Sequence, residues 1–88
     1  MRILTFTNHA ASMLQARTIE RKWAERVLQA PEWVRVDPGN PDIKQAFGRI
    51  SEAKGKMLRV VYTETRDERR VITVFFDRDA IKPSGQSQ

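Results

Sequence analysis

Two stretches in the C-terminal half of the chain decide the fold: Met57–Glu64, MLRVVYTE, and Arg70–Asp77, RVITVFFD. Both are rich in β-branched and aromatic residues, and the polar segment Thr65–Arg69 separates them, which is typical of a β-hairpin. A turn centred on Asp67 places apolar residues opposite one another: Leu58 and Phe76, Val60 and Val74, Tyr62 and Ile72. The hairpin then has one wholly apolar face, as packing against helices requires.

Two helices are predicted upstream of this hairpin. Segment 9–17 follows Thr7 and Asn8, whose side-chain oxygens can cap a helix N-terminus, and its apolar residues recur at helical spacing. Segment 20–30 carries its apolar residues on one stripe and ends before Pro31.

Weaker strand patterns lie around the helices. Residues 3–6 form a short β-favouring stretch, readable as a first strand or as an extended lead-in. Residues 32–37 predict an edge strand, 38–41 a turn, and 43–51 a further strand in which Gly48 indicates a bulge or a close approach of the backbone.

These patterns predict a single α+β domain over residues 1–82. Two N-terminal helices are expected to pack on one face of a curved three- to four-stranded antiparallel sheet. Residues 83–88, PSGQSQ, have the composition of a disordered C-terminal tail. A chain of 88 residues buries only a shallow core, so an internal cofactor pocket is not expected.

The composition limits the classes of function. Sixteen Lys and Arg residues against 11 Asp and Glu give a net charge of +5, which attracts a polyanion or an acidic protein. The absence of cysteine excludes disulfides, thiolate zinc sites and Cys nucleophiles, and one histidine excludes a multi-His metal site. We expect no metal and no cofactor. Because no run is apolar enough to cross a membrane, we also expect no membrane contact and a cytoplasmic location.

His9 and Arg17 are candidate catalytic residues because helical periodicity places them on one stripe of the first helix. An imidazole can move a proton, and a guanidinium fork matches the oxygens of a phosphate. On the hairpin, Arg59 lies on the less apolar face and can stabilise charge on the same phosphate. The alternative is structural: His9 closes the start of the helix, and the arginines form ion pairs.

Three residues complete the predicted substrate-binding set. Arg49 is included for its strand position and its charge, together with Lys44 and Thr73. The Lys54–Gly55–Lys56 segment superficially resembles a phosphate-binding loop, but it lacks the additional glycines and the hydroxyl residue of that motif. A solvated turn is therefore expected there. Trp33 is expected to pack at the sheet edge.

Four short motifs occur in a familiar order: Thr7-x-His9-Ala10 with Met13, Arg17 and Ile19; Val27-Leu28-x-x-Pro31; Leu58-Arg59-Val60-Val61; and Val71-Ile72-Thr73-Val74. Over residues 5–78 the chain thereby resembles the DUF4258 family, which is often grouped with the RelE/ParE-like toxin superfamily. The chain departs from the family at the helix break: members usually have Gly near position 18 and Ser, Thr or Asp near position 20, whereas this chain has Thr18 and Glu20.

The resemblance implies a RelE-like fold and a metal-independent mRNA endoribonuclease of a toxin–antitoxin system, with His9, Arg17 and Arg59 at family-like positions. It also implies RNA and an acidic antitoxin as partners. ParE-like relatives instead poison gyrase by protein contact, so a non-catalytic protein-binding module is the alternative, with the edge at 32–37 open to an added strand. A third interpretation is an inert domain whose polar residues are only structural.

Overall fold

A computed structural model of the chain describes residues 2–80; the predicted tail at 83–88 lies outside the described residues. The elements in chain order are β1 (Ile3–Phe6), α1 (Asn8–Ala16), α2 (Arg21–Gln29), β2 (Trp33–Asp37), β3 (Asn40–Ile50), a 3-10 turn (Ser51–Ala53), β4 (Lys56–Glu64) and β5 (Glu68–Phe76). Both helices lie within one residue of the predicted bounds at each end, and Thr7 caps α1 by accepting a 3.1 Å hydrogen bond from the Ala10 amide.

The sheet has five strands in the order β1-β5-β4-β3-β2. Strands β2 to β5 form an antiparallel meander, whereas β1 pairs in parallel with β5. The prediction of a three- to four-stranded antiparallel, RelE-like sheet is therefore wrong, because the sheet is mixed and its first strand precedes both helices. The Ile3–Phe6 stretch was too short to be distinguished from a lead-in, and its partner, which begins at Glu68, lies at the other end of the chain.

The β4–β5 hairpin follows the predicted register for its first two apolar pairs. These confirmed pairs are Leu58 with Phe76 and Val60 with Val74. The third pair is wrong: a register shift between Val61 and Tyr62 leaves Ile72 as an extra residue, so Tyr62 lies opposite Val71. This bulge keeps both Tyr62 and Val71 buried on the helix side of the sheet.

The core lies between the two helices and one face of the sheet. It is formed by apolar residues of both layers, chiefly Ala10, Ile19, Trp23, Val27, Leu28, Ala46, Ile50, Leu58, Val60, Tyr62, Val71 and Val74. Gly48 allows α2 to approach β3 closely, since a Cβ atom there would lie 3.0 Å from Cγ2 of Val27. The predicted close approach at Gly48 is thus confirmed.

Candidate nucleic-acid interface

The second face of the sheet is not covered by the helices. Strand alternation directs Leu58 and Val60 into the core and the intervening Arg59 to the opposite side. We call this side the open face. A row of four directly paired residues crosses it from β2 to β5: Trp33, Phe47, Arg59 and Phe75.

Arg59 lies between aromatic rings at the centre of this row. Its guanidinium carbon is 5.1 Å from the ring centroid of Phe47 and 5.2 Å from that of Phe75, so it makes cation–π contacts with both rings. One terminal nitrogen donates a hydrogen bond to Asp77 within an ion pair. Its Nε is buried and has no hydrogen-bond partner within residues 2–80. Arg59 is therefore held in place, with its charge offset by Asp77.

A groove of about 690 Å³ opens where β4 begins and β5 ends. We call it the cationic groove. Its large apolar side chains come from α1, β4 and β5, and they are Met13, Met57, Phe75 and Phe76. Its positively charged residues come from four places in the chain, and they are Arg17, Arg49, Lys56 and Arg78. Since Phe75 also belongs to the central row, the groove and the open face form one continuous surface.

Local backbone structure places each cation at the groove. Arg17 follows the last residue of α1, where its amide donates a 3.0 Å hydrogen bond to the Met13 carbonyl. Lys56 opens β4 immediately after Gly55, whose φ of 73° reverses the chain with little steric cost.

The segment after β5 is shaped by Asp77. Its amide extends the β4–β5 ladder with a 2.8 Å hydrogen bond to the Met57 carbonyl. Its Oδ1 accepts a 2.9 Å hydrogen bond from the Asp79 amide, which turns the chain and brings Arg78 to the rim of the groove.

None of the four groove cations forms an ion pair with another residue in the 2–80 range. Eight ion pairs that involve other cations occur in that range, for example Arg2 with Glu64 at 2.9 Å and Arg21 with Glu25 at 3.1 Å. Among the described residues, Asp77 is the one carboxylate that lines the groove, and it is bonded to Arg59. The groove thus has an excess of positive charge, which suits an anionic ligand.

The structure brings together some of the candidate residues. Arg17 and Arg49 meet at the groove, and Arg59 adjoins them through Phe75 and Asp77. Thr73 lies on the open face opposite Val61, in the row next to that of Arg59.

His9 and Lys44 lie elsewhere. His9 is exposed on α1, is not among the residues of the groove, and is separated from Arg59 by the sheet. Lys44 lies opposite Tyr62 on the helix side, 3.6 Å from Glu64 at the other end of β4. The helical stripe and the strand pattern alone could not show that His9 and Lys44 lie on the helix side of the sheet and Arg59 on the open face.

Sequence reasoning missed four residues of this surface. Lys56, Phe75, Asp77 and Arg78 all belong to it. One signal for them was the Lys54–Gly55–Lys56 segment, which was interpreted as a solvated turn. The Asp77–Arg78 pair directly after an apolar strand was a second, unused signal, because polar residues at strand ends often line clefts.

The described part of the chain contains neither a candidate metal site nor a candidate membrane-spanning helix. Residues 2–80 contain no group of three His, Asp or Glu side chains placed to hold a metal ion. No helix in the same range is long and apolar enough to cross a membrane.

Comparison with known proteins gives a family match and no more specific relative. A family model described as "Domain of unknown function (DUF4258)" matches residues 6–76, which is most of the chain. No curated protein and no solved structure matches the chain. The link to the RelE/ParE-like superfamily therefore stays a hypothesis.

Proposed function

The chain belongs to the DUF4258 family, and we propose that its domain binds RNA with the sugar–phosphate backbone in the cationic groove. The observation that carries this proposal is the convergence around an apolar floor of four cations that come from separate parts of the fold and have no ion-pair partner within residues 2–80. Phosphate oxygens match guanidinium forks, and a base or a ribose can cover the apolar floor.

A narrower proposal is that the domain is a toxin-like, metal-independent endoribonuclease. In such a reaction the ribose 2′-oxygen gives its proton to a base and bonds to phosphorus, the bond between phosphorus and the 5′-oxygen breaks, and the 5′-oxygen takes a proton from the protonated base or from water. Arg17 and Arg49 would stabilise charge on the phosphate, as guanidinium groups do in phosphoryl transfer. Asp77 is the carboxylate in the groove that can accept the proton. His9 lies outside the groove and has no part in this scheme.

The binding proposal is tested by titrating a labelled, unstructured RNA with purified protein. Arg17→Gln and Arg49→Gln are each expected to weaken binding several-fold. Arg66→Gln is the matched control, because Arg66 lies in the turn between β4 and β5, away from the groove, and forms no ion pair within residues 2–80. Equal losses in all three variants would show that only net charge matters, and would contradict a groove.

The cleavage proposal needs a second assay, with RNA incubated in excess EDTA both with and without translating ribosomes. Cleavage that persists in EDTA, is lost in Asp77→Asn and is retained in His9→Ala supports the scheme. Loss of cleavage in His9→Ala alone would instead place the chemistry on α1. If the RNA stays intact both with and without ribosomes while binding is retained, the domain binds RNA without cleaving it.

The exposed edge of β2 favours a second candidate function, the capture of a partner protein such as an acidic antitoxin. Val34 and Val36 are 44% and 54% exposed, and among the described strands β2 pairs with β3 alone. A strand from a partner can pair with such an edge. Val36→Pro is expected to abolish co-purification of that partner, whereas the groove variants are expected to leave it intact.

A further inference from the structure

The open face carries an aromatic row that leads out of the cationic groove. Trp33 stacks on Phe47 with ring centroids 4.5 Å apart and an interplanar angle of 12°. Phe47 is 1% exposed, so the outer face of the stack is provided by the half-buried Trp33. Phe75 stands at the other end of the row, at the groove.

We propose that this row is a stacking surface for unpaired bases of the same RNA, so that the domain selects single-stranded over duplex RNA. The inference rests on the proposed RNA binding, and it adds a second set of contacts that the groove does not supply. Trp33 and Phe75 stack on the bases, and the groove cations bind the phosphates of the backbone.

The spacing of the row fits a strand of RNA laid across the sheet. Three strand intervals separate Trp33 from Phe75, or roughly 14 Å at the usual spacing between strands. Bases in a duplex are paired and stacked on one another, so their faces are not available to a protein side chain. An aromatic surface of this length therefore discriminates against duplex RNA, whereas a groove that contacts only phosphates does not.

Charge on the open face favours a polyanion over an apolar protein segment. Arg35 lies beside Trp33 on β2, with its guanidinium carbon 5.7 Å from the Phe47 ring and its Nε donating a 2.8 Å hydrogen bond to Gln45. The nearby carboxylate of Asp37 accepts a 2.7 Å hydrogen bond from Gln45. Arg35 itself forms no ion pair within the described part of the chain, so a phosphate beside Trp33 meets a cation.

The test compares a short unstructured RNA with the same strand annealed to its complement. Wild type is expected to bind the single strand at least tenfold more tightly. Trp33→Leu keeps an apolar side chain and removes the ring, and it is expected to weaken single-strand binding by roughly tenfold or more, with duplex binding unchanged. Val34→Leu on the opposite side of β2 is the control and is expected to bind as wild type.

Tryptophan fluorescence gives a second readout, independent of the measured affinities. Single-stranded RNA is expected to quench the emission of wild type, and the quenching is expected to vanish in Trp33→Leu, which retains the buried Trp23. Unquenched emission with equal affinity for both RNA forms would overturn the stacking surface. If Arg17→Gln still weakens binding in that case, groove binding stands alone; if it does not, RNA binding itself fails.

Discussion

At the scale of single residues, Thr18 is the clearest point of backbone strain. It links the two helices with a φ of 54°, in the left-handed region where a β-branched residue is rare and costs about 1–2 kcal/mol. We expect Thr18→Gly to raise the free energy of unfolding by about 1 kcal/mol, because glycine adopts this conformation without a steric penalty. Chemical denaturation measures the change.

The control for this substitution is Gln15→Gly, at an exposed position within α1. It is expected to destabilise the protein by about 1 kcal/mol, because glycine is unfavourable inside a helix. A loss of stability in Thr18→Gly would show that the threonine side chain makes a contribution larger than its strain. The sequence already indicated that the turn is unusual, because this chain has Thr18 where glycine is expected. The sign of φ could not be predicted from the sequence.

A second residue-scale prediction concerns Glu52, which is bound by both terminal nitrogens of Arg26 at 2.9 and 2.8 Å. The Arg26 hydrogen bonds lower the pKa of Glu52 from 4.5 to about 2. A lowered folded-state pKa means that the stabilisation is present above pH 4.5 and is lost as the pH falls toward 2. We expect a carboxyl NMR titration to give a midpoint near 2 in wild type and a return toward 4.5 in Arg26→Gln.

The matched control for this pair is Lys22→Gln, which removes another cation from α2 and leaves Arg26 in place. Its Glu52 midpoint is expected to stay near 2. A midpoint near 4.5 in wild type as well as in Arg26→Gln would mean that the pair does not persist in solution, as is common for exposed ion pairs.

At the scale of elements, α1 and the bulge of β5 are joined through one side chain. The Thr7 hydroxyl accepts from the Ala10 amide and donates to the carbonyl of Ile72, each at 3.1 Å. Thr7→Val keeps the shape and removes both hydrogen bonds. We expect a loss of about 1 kcal/mol in the free energy of unfolding, the usual value for a lost N-cap, and faster hydrogen exchange at Ala10.

Thr7→Ser retains the hydroxyl and is expected to restore most of this stability. If valine and serine behave alike, the hydroxyl contributes nothing and the helix start is held by packing alone. The cap could be predicted from sequence, because a threonine before a helical pattern is a common start signal. Its second bond could not, because it depends on the bulge at Ile72, and a bulge leaves no mark in an apolar run.

At the scale of the whole molecule, the sequence predicted the two helices and the hairpin correctly, but it did not predict the number and order of the strands in the sheet. The hairpin and both helices could be predicted because each has a periodic pattern of apolar residues over a short, continuous stretch of sequence. The pairing of β1 with β5 joins the two ends of the chain, and residues 3–6 are too few to show a pattern. The groove was only partly predictable for the same reason, since Arg17 and Arg49 meet there through topology.

The distribution of charge yields the last prediction, which concerns the salt dependence of RNA binding. Each phosphate contact to a single strand contributes about −0.7 to the slope of log K against log salt. Arg17→Gln and Arg66→Gln each lower the net charge of +5 by one unit, but only Arg17 lines the groove. We expect Arg17→Gln to reduce the magnitude of the slope by about 0.7 and Arg66→Gln to leave it unchanged. Equal reductions in the two variants would mean that RNA responds to the overall field of a basic domain and not to the groove.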